Sequence, residues 1–171
     1  MGVLVVSFTA TKPISTAAAL GEKLFFDTIL SKDYSISCAS CHIPKFGFAD
    51  TAAFSIGIHG VPTQRNTPSV LNMAFRPHFF WDGRAASLEE QALMPITNPN
   101  EMGLPIEEAV SRLNKNATYK KIIIKIFKEI PTSLYAVKKI MKIITPFPDF
   151  YPQWLFHQYY RFEPKLKEWI S

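Results

Sequence analysis

Cys38-Ala39-Ser40-Cys41-His42 sets two thiols three residues apart, with an imidazole directly after the second. On a helical turn, residues i, i+3 and i+4 share one face. Both sulfurs can then reach the two vinyl groups on one porphyrin edge, while His42 lies beneath the ring with a nitrogen for the iron. This is the attachment signature for c-type haem. The chain holds only these two cysteines, so no further thiol competes for them. A structural zinc site would need two more ligands at suitable spacing, and His59, His78 and His157 are widely scattered. A thioredoxin-like redox pair would need a βαβ context, and nothing nearby alternates strand with helix.

The elements that must position this turn read as helices. Leu20, Leu24 and Phe25 face inward from a helix over Ser15–Leu30, with Glu22 and Lys23 outward. Asp33–Ser37 is a loop into the haem-binding turn. From Ile43 to Pro62 periodicity is lost, and Pro44, Gly47, Gly57 and Gly60 punctuate a long loop containing Phe46, Phe48 and Phe54. Thr67-Pro68 has the form of a helix start, threonine capping and proline first, with Val70, Met73 and Ala74 able to face inward. Phe79-Phe80-Trp81 precedes a turn at Asp82-Gly83. Ser87-Leu88-Glu89-Glu90 is a capping box opening a helix that Pro95 ends. Pro105 opens another through Leu113. Tyr119, Ile122, Ile123, Ile126, Phe127 and Ile130 repeat at helical spacing, as do Leu134, Val137, Met141 and Ile144. No stretch alternates as a strand would, so the expected fold is all-α.

A chain of 171 residues suits one domain, and a hydrophobic content of 47% is ordinary for a globular protein. The longest purely aliphatic runs, Val3–Val6 and Ile122–Ile124, are far too short to span a membrane. Residues 104–171 hold 12 Lys+Arg against 6 Asp+Glu, and residues 1–103 hold 7 against 8, so the net +5 lies entirely in the C-terminal part. Those lysines fall on the polar faces of amphipathic helices. A solvated face is the expectation, rather than a nucleic-acid surface, which would need a recognisable binding element.

Five stretches flank the haem motif: Leu20-Gly21-Glu22-Lys23-Leu24-Phe25-Phe26-Asp27, Arg65-Asn66-Thr67-Pro68-Ser69, Phe80-Trp81-Asp82-Gly83-Arg84-Ala85, Glu89-Glu90-Gln91-Ala92 and Asn98-Pro99-Asn100-Glu101-Met102. In this order and spacing they resemble the N-terminal haem domain of the bacterial di-haem cytochrome c peroxidases, the group that includes MauG-like proteins. The likeness is dense from about Ala17 to Leu113.

The resemblance implies reduction of hydrogen peroxide to water by electrons from a small cytochrome c or cupredoxin, with a single covalent haem c in this domain. It makes His42 the proximal iron ligand. His59, in Gly57-Ile58-His59-Gly60, matches a distal histidine that leaves the iron on activation, and its flanking glycines would let the loop swing. Glu101 matches the distal acid–base carboxylate and Gln91 the amide beside it. Trp81 matches the tryptophan on the electron path between two haems. Asn66 matches a ligand of an inter-domain calcium, although one asparagine cannot supply the six to eight oxygens calcium takes. Arg84 is expected to pair with a propionate or to order the Asp82 turn, and Arg76 and His78 to lie on the surface.

The family carries a second haem domain with its own Cys-x-x-Cys-His motif, which this chain lacks. The expected division is residues 1–14 as an unstructured N-terminus or signal remnant, 15–145 as the haem domain, and 146–171 as a tail outside the family pattern. A frameshift near Thr145 would account for the tail, as would a replacement whose Trp154, Phe156, Tyr159, Tyr160 and Trp169 form an interface patch. Covalent haem attachment implies a periplasmic location, yet residues 1–8 lack the basic start and long apolar run of an export signal. Peroxidase, one-haem electron-transfer protein and inactive fragment all remain open. Gln91 and Glu101 favour the first, since a pure electron carrier needs neither.

Overall fold

Short amphipathic helices with apolar residues three and four apart build the core. The computed structural model describes residues 14–71, 73 and 76–128. Its helices are α1 (Ala17–Phe26), α2 (Cys38–Cys41), α3 (Leu88–Thr97), α4 (Ile106–Lys115) and α5 (Ala117–Phe127), with 3₁₀ turns at Thr28–Leu30, Pro44–Phe46 and Ile58–Gly60. Among the described residues the only sheet-like pairings are the isolated bridges Ile43–Ala49, Ile56–Pro62 and Phe79–Ala85, so the described part of the chain is all-α, as expected.

The helix expected over Ser15–Leu30 divides in two. Thr16 caps α1 by accepting from the Ala19 N–H at 3.2 Å. At Asp27 the backbone turns extended, and the carboxylate accepts from the Ile29 N–H at 2.9 Å, starting a separate 3₁₀ turn. Aspartate bonds the backbone ahead of it more readily than it sits inside a helix.

No helix starts at Thr67-Pro68, because residues 66–70 are irregular. The Thr67 hydroxyl is paired with Ser55 at 2.7 Å instead of capping its own backbone, so a distant partner outcompetes the local one. Ser87 caps α3 as expected, accepting from Glu90 N–H at 3.1 Å. The returning Glu90 carboxylate reaches Ala86 N–H at 3.0 Å, one residue earlier than a capping box requires. Pro95 lies inside α3, which runs on to Thr97, so the proline does not end the helix as expected. Pro105 opens α4, which extends past Leu113 to Lys115. Asn116 then caps α5 through Thr118 and Tyr119 N–H groups.

Leu20 and Leu24 of α1, Leu113 of α4, and Tyr119 and Ile123 of α5 are buried together with Leu30, Phe48 and Leu104. Each fully buried leucine contributes roughly 1.5–3 kcal/mol. Two polar ties join distant segments across this core. The Tyr119 hydroxyl donates to Asp27 at 2.6 Å. Arg112 donates to the carbonyls of Ser31 at 2.6 Å and Lys32 at 2.7 Å, while holding Glu108. Lys115, Lys120, Lys121, Lys125 and Lys128 are exposed, the solvated face their spacing implies. No helix among the described residues is long and apolar enough to cross a membrane. Ile130, the periodic stretch Leu134–Ile144 and the 146–171 tail lie outside the described residues.

Candidate haem site

The Cys-x-x-Cys-His motif forms one helical turn. The Ser37 N–H donates to Ser40 Oγ at 2.9 Å at its start, and the His42 N–H donates to the Cys38 carbonyl at 2.9 Å at its end. Cys38, Cys41 and His42 therefore share a face. Both cysteines are free thiols, partly buried. Burial pushes the Cys38 thiol up to about 12 and raises Cys41 as well, so both keep their protons at neutral pH.

His42 Nδ1 lies 3.1 Å from the Phe48 carbonyl. A carbonyl only accepts, so Nδ1 carries the proton and Nε2 presents its lone pair. Burial lowers the His42 pKa, keeping the ring neutral, while the Phe48 and Pro68 carbonyls oppose this. The ring leans against Phe25, centroids 6.4 Å apart, and Phe25 packs edge-on to Phe48 at 5.7 Å. Phe48 is completely buried with φ +58°, a left-handed conformation costing roughly 1–2 kcal/mol for a residue with a Cβ. The geometry aims its carbonyl at His42, and nothing in the residue spacing foretells it.

Two thiols and a neutral imidazole with an outward lone pair are the donors a covalently attached haem requires, and the set fits that group. Among the described residues no three His, Cys, Asp or Glu side chains converge to hold another metal.

Glu101 sits in the turn after α3. Asn98 Nδ2 donates to its Oε1 at 2.8 Å. Burial raises its carboxyl above the ordinary value, against the Asn98 bond and the Arg84 charge, which lower it. Its charge is felt at Cys41, so the two lie within electrostatic reach. Gln91 is half-buried on α3, and no hydrogen bond joins its amide to Glu101.

His59 has φ +59°, is 65% exposed, and has Nδ1 3.7 Å from Asp33 Oδ2. Its flanking glycines do different jobs. A Cβ on Gly57 would collide with the Asn100 carbonyl, whereas one on Gly60, at φ +73°, would meet nothing within 4 Å. Gly57 is thus required for close packing, which corrects the expectation that it lends swing.

Trp81 is 70% exposed, so it is no core aromatic; Arg65 stacks on its ring at 4.0 Å. Arg84 bonds both Asp82 oxygens, at 2.9 and 3.0 Å, and covers Phe80. It orders the Asp82 turn. Asn66 Nδ2 donates to the Ala52 carbonyl at 2.7 Å. Arg76 and His78 are exposed.

A helical chain presenting this donor set on one turn defines a haem protein of the cytochrome c type. More narrowly, the chain belongs to the di-haem cytochrome c peroxidase family, whose model matches residues 15–161, and membership implies a c-type haem. It is similar to the methylamine utilization protein MauG of Methylorubrum extorquens, with 52% identity over 95 residues, 56% of this chain and 27% of that protein. It is also similar to the cytochrome c peroxidase Ccp of Escherichia coli, with 39% identity over 112 residues, 65% of this chain and 24% of that one. The crystal structure of the diheme peroxidase BthA from Burkholderia thailandensis superposes with a TM-score of 0.69 at 26% identity, over 77% of this chain and 38% of that one. A MauG-like protein associated with microbial copper homeostasis superposes at 0.70 and 26%, over 92% and 51%. The chain thus spans about a quarter of the length of these two curated relatives.

Proposed function

We propose that this chain is a peroxidatic haem module that reduces hydrogen peroxide to water, with one haem c attached through Cys38 and Cys41 and His42 as proximal ligand. The His42–Phe48 hydrogen bond carries this reading, because it places the proton on Nδ1 and leaves the Nε2 lone pair for a metal on the residue that follows both thiols. When bound, the haem would supply the iron at which the O–O bond is cleaved and pass on the two electrons drawn from the donor.

The chain's residues do the remaining work. Glu101 is the acid–base group. With Oε1 held by Asn98, Oε2 takes the proton from the near peroxide oxygen and returns it to the departing one. Its raised carboxyl suits this exchange. Gln91 is the amide that orients the substrate beside it. His59, whose Nδ1 lies 3.7 Å from Asp33 Oδ2, would be the second, reversible histidine ligand of the iron. Trp81, exposed beneath Arg65, is the point where electrons enter from a second redox centre. A small cytochrome c or cupredoxin in the periplasm is the donor. Asn66 would lend one oxygen to a calcium whose other ligands come from elsewhere.

The exposed Trp81 also favours a second reading, a one-haem electron-transfer protein without turnover. The test is expression of the chain with an export signal, followed by intact mass, haem staining after denaturation, and peroxide assay. Covalent haem lost in Cys38→Ala/Cys41→Ala, with turnover lost in Glu101→Gln, supports the peroxidase. Covalent haem without peroxide turnover points to the carrier, and absence of covalent haem refutes both.

A further inference from the structure

Asp50, Ser55 and Thr67 form a polar network, centred on buried Ser55, that the proposed reaction does not use. Ser55 is 1% exposed. Its Oγ lies 2.6 Å from Asp50 Oδ2 and 2.7 Å from Thr67 Oγ1. Several hydrogen bonds hold the Asp50 carboxyl below its ordinary range, the Ala52 N–H first among them. It is therefore ionised and can only accept. Ser55 has one proton, which goes to Asp50. The Thr67 hydroxyl must then be the donor to Ser55, and the chain of donation runs Thr67 to Ser55 to Asp50.

This network ties together the two segments that face His42. Asp50 follows Phe48 by two residues, and its N–H donates to the Thr67 carbonyl at 3.1 Å. On the other side of Pro68, Ser69 Oγ donates to the Gly47 carbonyl at 2.6 Å. Residues 67–69 are thus laced to residues 47–50 at both ends. Between the lacings lies Phe48, whose carbonyl is 3.1 Å from His42 Nδ1.

We propose that Ser55 and Thr67 are positioning residues for His42, their paired hydroxyls holding the Phe48 carbonyl against the ring and so setting how strongly it donates to a bound iron. The inference rests on the reading of His42 as the haem ligand. A carbonyl on the protonated nitrogen makes imidazole more electron-rich and favours the oxidised metal. Loosening that contact raises the reduction potential.

The experiment is a spectroelectrochemical titration of the haem-loaded chain and three variants. Thr67→Val keeps the shape and loses the hydroxyl, Thr67→Ser keeps the hydroxyl, and Ser55→Ala removes the relay. The midpoint potential is expected to rise in Thr67→Val and Ser55→Ala and to stay at the wild-type value in Thr67→Ser. If Ser55→Ala does not fold, the two Thr67 variants decide. A wild-type potential in Thr67→Val overturns the inference, as does a Thr67→Ser shift equal to that of Thr67→Val. Wild-type chain that takes up no covalent haem overturns the site reading and this inference with it, whereas haem uptake with unmoved potentials overturns only the inference.

Discussion

Gly57 lies against the carbonyl of Asn100 so closely that no Cβ fits between them. Next to this contact the Ile58 N–H donates to the Glu101 carbonyl at 2.9 Å. The loop bearing His59 and the turn bearing Glu101 are therefore one packed unit. Gly57→Ala must push them apart, at a cost of about 1–3 kcal/mol from overpacking. A urea titration should show the loss, and a wild-type midpoint would contradict the packing.

Glu101→Gln keeps the size and the Asn98 contact but cannot cycle a proton. Peroxide turnover is expected to fall about 10²–10⁴-fold with haem content unchanged. Because burial raises the Glu101 carboxyl, the base form appears at a higher pH than for an ordinary glutamate. Wild-type turnover should rise with pH through that region. A Gln variant retaining the same rising limb would assign it to another group.

Asp33 accepts from Ser35 N–H at 3.0 Å, Ser35 Oγ at 2.6 Å and Ser31 Oγ at 2.9 Å. With Ser35 the largest cause, these bonds lower its pKa from 3.8 to about 2. A carboxyl more acidic in the folded chain stabilises it above its unfolded value, and that contribution fades as pH falls through the folded one. Stability should therefore drop between pH 3.8 and about 2, and Asp33→Asn should flatten that part of the curve. Equal slopes in urea midpoints across this window would exclude Asp33 as the cause.

Tyr119→Phe removes a hydroxyl that donates to the Asp27 carboxylate at 2.6 Å. Hydrogen bonds to charged groups contribute about 1.5–3 kcal/mol. The loss should fall near the lower bound, because Asp27 keeps the Ile29 N–H and Lys23, 3.7 Å away, as partners. Thermal unfolding of the single and double variants with Asp27→Asn measures the coupling.

The sequence by itself determined whatever depends on neighbours a few residues apart. Cys38, Cys41 and His42 share a face because a helical turn repeats every 3.6 residues. The inward sides of α1, α4 and α5 follow from the same period, as does the capping by Ser87. The order of the flanking motifs carries the family. Tertiary structure alone decided what depends on contacts between distant segments. The Phe48 carbonyl fixes the His42 tautomer through a buried left-handed residue. Thr67 has the form of a helix cap, yet bonds Ser55 twelve residues away. Gly57 has the form of a hinge, yet is a close-packed contact. In each case a local preference of about 1 kcal/mol yields to burial and to hydrogen bonds formed only after the chain has closed on itself.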